Sequence, residues 1–145
     1  MFEKHNVTLI DFGFATQYLD EDTEEHIKKE QVDAFRGNVA FASLNQMKFF
    51  STSRRDDLIS LFYFLVYLLK QGSLPGIDLN ENIDVNKQFK DIFNTKKRQT
   101  SKDLCFGNSK DLYRFKKEVF NYRFADEPNY DSLRNIIQTL LKKER

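Results

Sequence analysis

The sequence predicts a mainly α-helical fold, and three observations carry that reading. Leu58 to Leu69 reads LISLFYFLVYLL, about a dozen apolar residues, where a membrane-spanning helix needs roughly 20. A helix apolar on nearly every face belongs in a protein core. Later segments repeat apolar residues at helical spacing rather than in alternation. The composition is 40% hydrophobic and 14% aromatic, with 15 Phe and 6 Tyr, so there is bulky surface enough to offset chain entropy.

Each element follows in chain order. Val7 to Ile10 is a short β-rich run ending at Asp11, Phe12 and Gly13, which predicts a strand leading into a loop. Gln17 to Asp33 mixes acids and bases without a period and reads as a long solvated loop with room for some helix. Ser51, Thr52 and Ser53 offer N-cap oxygens for the apolar helix, and Asp56 and Asp57 put negative charge in its first turn, where the helix dipole favours it. Lys70 suits the last turn, Gly72 suits the left-handed C′ position, and Pro75 follows. Val85, Phe89, Ile92 and Phe93 predict a second helix, followed by a polar, basic stretch from Asn94 to Lys102. Leu112, Phe115, Val119 and Phe120 predict a third, capped by Ser109. Leu133, Ile136, Ile137, Leu140 and Leu141 predict a last helix ending in Lys142 and Lys143.

With 145 residues, no internal repeat and no linker, the chain reads as one domain over residues 1–145. Lys+Arg 23 against Asp+Glu 22 leaves a net charge of +1, which gives no broad basic field for nucleic acid. The single Cys105 cannot form an internal disulfide, and Met1 to Asn6 is polar rather than an apolar signal core. The expectation is an intracellular protein, cytoplasmic or nuclear, that engages neither nucleic acid nor membrane.

Chemistry enters at Thr8-Leu9-Ile10-Asp11-Phe12-Gly13. A strand that delivers an Asp, followed by an aromatic residue and a Gly that frees the backbone, resembles the DFG element of protein kinases, whose Asp holds Mg²⁺ on the ATP phosphates. Three residues alone read better as an Asp capping a turn after an edge strand. The second anchor is Ser53-Arg54-Arg55-Asp56-Asp57-Leu58 at the start of the apolar helix, with Gly72-Ser73-Leu74-Pro75 just after its end. These resemble the casein kinase I family, whose helix F begins SRRDDL and is followed by GSLP. The likeness continues through His26-Ile27, Gly37 and Phe41-Ala42-Ser43, where the family writes TGTARYAS, then Leu104-Cys105. It ends with Arg123-Phe124-Ala125-Asp126-Glu127-Pro128-Asn129-Tyr130 and Leu133-Arg134, in the order of the family's LC, LRFDDKPDY and LR elements.

The resemblance implies a partial protein-kinase-like C-lobe: an activation segment plus helices around a buried helix F, with the N-lobe and catalytic loop absent. For the complete family domain it implies ATP-dependent phosphoryl transfer to protein Ser/Thr, with ATP and Mg²⁺ as cofactors and protein substrates as partners. Of that machinery these 145 residues hold only Asp11, the DFG Asp, as a metal ligand conditional on the rest of the site. They contain no GxGxxG run and no HRD-like or YRD-like element, so the Gly-rich loop, the ATP lysine and the catalytic-loop Asp and Asn are not among them. No catalytic residue and no cofactor is therefore expected for this chain alone, and Phe12, Gly13, Arg54, Arg55, Asp56 and Asp57 are motif residues with a structural role.

Departures from the family pattern bear on substrate recognition. TGTARYAS reads Arg36-Gly37-Asn38-Val39-Ala40-Phe41-Ala42-Ser43 here, so Asn38 replaces the threonine that would steady the catalytic base. Ala40 replaces the arginine of an anion site for primed substrates, and Arg36 reads as a solvated residue nearby. Phe62 stands where helix F usually has glycine, and Gly76 follows Pro75 where the family has tryptophan. Asp57 resembles the helix F aspartate that tethers the catalytic loop. Without that loop, either water satisfies Asp57 or another chain covers its face; capping of the helix, or pairing with Arg54 or Arg55, is the plainer alternative.

Other candidates read as structural. His5 and His26 lack Cys or carboxylate partners at metal-ligand spacing. Asn6-Val7-Thr8 is a glycosylation sequon that an intracellular chain leaves unmodified, and Lys96-Lys97-Arg98 reads as a solvated loop. Cys105, between Leu104 and Phe106, reads as a buried, unreactive thiol. Two functions fit: a truncated casein kinase I-like domain whose activity belongs to a longer polypeptide, or a degenerate kinase remnant, a pseudokinase, serving as a binding or scaffold module. In the second, a protein partner sits on the face left open by the N-lobe and catalytic loop.

Overall fold

A computed structural model describes residues 8–79, 84–105 and 109–143. Val7 of the expected strand, His5, the first two residues of the sequon and Phe106 lie outside the described residues. Within them the protein is mainly helical: α1 (Leu44–Met47), α2 (Arg54–Leu69), α3 (Val85–Arg98), α4 (Ser101–Leu104), α5 (Lys110–Asn121) and α6 (Tyr130–Lys143). Pairing between extended segments is limited to the isolated bridges Leu19 with His26, Gln31 with Phe50, and Leu74 with Ile77.

The apolar segment forms α2 because its termini are well specified. Asp56 accepts the backbone N–H of Ser53 at 3.0 Å, so the first turn uses its own carboxylate against an orphan donor. At the other end Gly72 N–H bonds Tyr67 O at 2.9 Å and Gln71 N–H bonds Leu68 O at 3.1 Å, the pair of bonds of a Schellman cap. The left-handed C′ residue is Gln71 at φ 53°, with Gly72 at φ 90° after it, so the expected glycine cap lies one residue further on.

α5 is the central packing element, touching α2 on one side and α6 on the other. Leu58, Phe62, Tyr63 and Val66 of α2 meet Leu112, Phe115 and Val119 of α5, and Leu133, Ile136 and Leu140 of α6 complete the same core. A smaller cluster under α1 and α3 holds Ala42, Met47 and Ile92. Ser109 caps α5 through its side chain, which accepts Leu112 N–H at 3.1 Å, as its position predicts. Asn129 does the same for α6, accepting Ser132 N–H at 2.9 Å.

Four expectations change. Residues 8–10 form no strand: Leu9 and Ile10 are exposed at 78% and 76%, and no neighbouring segment among the described residues pairs with them, without which extended chain has no ladder. The basic stretch after Phe93 is not a loop, since α3 runs on to Arg98 and α4 follows, started by Thr100 accepting Asp103 N–H. α1 was not signalled by any apolar period; it is a single turn capped by Ser43. Finally, α2 is not buried all round. Leu61, Phe64 and Leu68 are 37%, 44% and 54% exposed, because α5 covers only one side of the helix.

Candidate functional site

The residues Arg54 to Asp57 leave the first turn of α2 in four directions, and each makes a different connection. Arg54 reaches across the turn to the 122–126 loop: its Nη2 donates to Ala125 O at 3.2 Å while the guanidinium stacks 4.4 Å from the Tyr18 ring centroid. Arg55 donates from Nη1 to Tyr122 O at 3.3 Å and lies 5.9 Å from the Phe124 ring. Two adjacent arginines thus tie the motif to the Arg123-Phe124-Ala125-Asp126 segment, which is distant in sequence and also belongs to the family-like pattern.

Asp56 points inward and is 1% exposed. Its Oδ1 accepts the Ser43 hydroxyl at 2.5 Å, and its Oδ2 accepts Ser53 N–H at 3.0 Å and Asn45 Nδ2 at 3.5 Å. Arg55 Nε stands 3.7 Å away, supplying charge. Burying a carboxylate is costly unless donors and a cation replace water. Here three donors and a guanidinium do so, and in return they bind the Phe41-Ala42-Ser43 segment to the start of α2.

Asp57 points outward. Its side chain makes no hydrogen bond or ion pair among the described residues, and its carboxyl is pushed up from the usual range, first by partial burial and then by the Asp56 charge beside it. Leu61, Phe64 and Leu68 continue from Asp57 at steps of four, three and four residues, so the four side chains share one helix face. Among the described residues this face of α2 thus presents an acidic residue at the head of a partly exposed apolar stripe.

Asp11, Phe12 and Gly13 are not brought to that turn. They lie in exposed chain, with Phe12 and Phe14 at 65% and 70%. Asp11 adopts φ 61°, a left-handed conformation Asp tolerates, and its Oδ1 accepts Gly13 N–H at 3.3 Å. Magnesium takes near-octahedral oxygen coordination, usually from one or two carboxylates together with waters and substrate phosphates. Among the described residues no group of three His, Cys, Asp or Glu side chains could hold a metal. Asp11 and its neighbours therefore do not by themselves fit Mg²⁺.

The segment matching the end of the activation segment folds on itself. Asn38 Oδ1 accepts Ala40 N–H at 2.8 Å, and its carbonyl accepts the N–H groups of Phe41 and Ala42. Ala40 is buried, so the position where the family carries an anion-binding arginine faces the core. Gln46 Nε2 donates to Arg36 O at 2.6 Å. His26 Nδ1 lies 2.8 Å from Ile27 O and its ring meets Phe124 edge-on at 4.9 Å, a packing role.

The buried settings of Asp56 and Lys96 escaped the sequence reading. Asp56 and Asp57 are adjacent acids that pattern alone does not separate; the Ser43-x-x-Gln46 start of α1 was the available hint that a serine there needed a partner. Lys96, one of three consecutive basic residues, is 4% exposed rather than solvated.

No family model matches the chain. By sequence it is similar to Casein kinase I homolog 3 of Schizosaccharomyces pombe, with 34% identity over 133 residues that make up 91% of this chain. The chain spans only 30% of that relative's length. No helix among the described residues is long and apolar enough to cross a membrane.

Proposed function

We propose that this chain, a casein kinase I-like sequence corresponding to the C-lobe portion of that family, is the helical platform of a serine/threonine protein kinase and is not itself catalytic. The observation that carries the reading is the open face of α2. Asp57 with Leu61, Phe64 and Leu68 forms a surface that a structured element supplying hydrogen-bond donors and apolar side chains would cover. In the kinase reading that element is the catalytic loop and its flanking chain, held by Asp57, and the complete assembly transfers the ATP γ-phosphoryl group to protein Ser/Thr with Mg²⁺. The inward part of the motif supports the platform role: Arg54, Arg55 and Asp56 knit α2 to residues 43–53 and 122–125 using partners within the described residues.

A second reading is a non-catalytic binding or scaffold module, with a separate protein on the same face. Phe62 favours it: where the family keeps glycine, a fully buried phenyl ring packs against Tyr63 and Phe120. The buried Ala40 likewise leaves no side chain for a primed substrate. The two readings separate on the mass of the native species, captured with an antibody to the Lys110 to Tyr130 segment. A species well above 17.3 kDa carrying additional kinase peptides supports the platform, and one of 17.3 kDa rules it out in favour of the module.

A further inference from the structure

Lysine is almost never fully buried unless it is paired, because its charge costs free energy away from water. Lys96 on α3 is buried, and no ion pair among the described residues includes it. Its Nζ donates to Ala42 O at 2.6 Å and to Val39 O at 3.1 Å, and it lies 4.0 Å from the centroid of the Tyr63 ring. An ammonium has three N–H groups. Two carbonyls and a π face take all three, so one side chain joins α3, α2 and the turn at residues 39–42. Asp56 holds the next residue of that turn, Ser43.

We propose that Lys96 makes the 39–42 turn a proton-coupled latch: Nζ holds the Val39 and Ala42 carbonyls in the seated turn, and lifting the turn moves the amine into water, where it binds a proton more tightly than it does when buried. The chemistry is a competition between three acceptors, which suit the ammonium, and burial, which opposes it. Burial pushes the amine down from 10.5 to about 7. In the lifted state the solvated amine keeps its ordinary value, so between these limits the lifted state binds more protons. Seating therefore strengthens as pH rises above about 7 and is insensitive to pH below it, where both states carry the proton.

The groups around Nζ do not confuse that titration. Tyr63 faces it from α2, and burial pushes the Tyr63 phenol far above its usual range, so it stays neutral. The turn contributes Val39, Ala40, Phe41 and Ala42, and α1 contributes Leu44, Asn45, Gln46 and Met47, none of which titrates. On α3 the adjacent charged residues Lys97 and Arg98 are exposed to solvent.

Amide hydrogen exchange of the full chain tests the latch. The N–H groups of Ala40, Phe41 and Ala42 all bond to Asn38 and report on the turn, whereas Val119 reports on the core. After correction for intrinsic exchange, the protection of the three turn amides rises about tenfold between pH 6 and pH 8, and that of Val119 does not. In Lys96→Met and Lys96→Arg the rise disappears, since neither side chain titrates there. A change below twofold in the wild-type turn, an equal rise at Val119, or a persistent rise in Lys96→Arg overturns the proposal. Should Lys96→Met fail to fold, the wild-type profile and Lys96→Arg still decide.

Discussion

Replacing Asp56 by alanine removes the acceptor on which three segments converge. The Ser43 hydroxyl at 2.5 Å, Ser53 N–H at 3.0 Å and Arg55 Nε at 3.7 Å lose their partner together, and Asn45 Nδ2 loses its longer contact. Hydrogen bonds to a charged acceptor contribute about 1.5–3 kcal/mol each, and breaking a buried ionic cluster by deleting one member costs about 3–5 kcal/mol. Because Ser43 and Ser53 are only 0% and 6% exposed, water reaches their stranded donors poorly, and the loss belongs at about 3–5 kcal/mol. Against a total stability of about 5–15 kcal/mol that is a large fraction. Urea unfolding followed by far-ultraviolet circular dichroism measures it, with an unchanged m-value showing that the denatured state is unaffected. Asp57→Ala, one residue along, loses less than about 1 kcal/mol, because its carboxylate has no partner to strand. A loss below 1 kcal/mol for Asp56→Ala, or equal losses for the two variants, would refute the division of labour between these acids.

Other outcomes follow from packing and burial. Phe62→Ala removes a ring with no exposed surface from the α2–α5 contact and costs about 3–5 kcal/mol by the same urea assay. Leu68→Lys, at the exposed end of the α2 stripe, changes stability by less than about 1 kcal/mol in the same urea assay. Cys105 is held as the protonated thiol by burial, which outweighs the opposing effect of Lys116. Its reaction with a disulfide reagent at pH 8 in native protein is therefore at least about tenfold slower than in urea.

Much of the helical body was legible in the sequence, because amphipathic period and cap chemistry act locally. Leu112, Phe115 and Val119 mark the buried face of α5 directly, Ser109 caps it, and Leu133, Ile136 and Leu140 do the same for α6. What was not legible depends on contacts far apart in the chain. The apolar run of α2 reads as a core helix on every face, yet only packing decides that Leu61, Phe64 and Leu68 stay open. Leu9 and Ile10 have strand propensity, but a strand exists only when another pairs with it. Adjacent acids on a helix differ by about 100° in direction, so Asp56 and Asp57 carry the same sequence signal and opposite environments. Lys96 is hidden for a related reason: among three basic residues, only the helix register turns one toward the 39–42 carbonyls.

Phosphoryl transfer by the 145-residue chain itself tests the central claim most directly. Purified protein is incubated with Mg²⁺, γ-labelled ATP and casein, beside an Asp11→Ala variant. With Asp11 in exposed chain and, among the described residues, no group of three metal ligands that includes it, label incorporation stays at background and the two proteins are indistinguishable. Incorporation that depends on ATP and vanishes in Asp11→Ala would contradict the account.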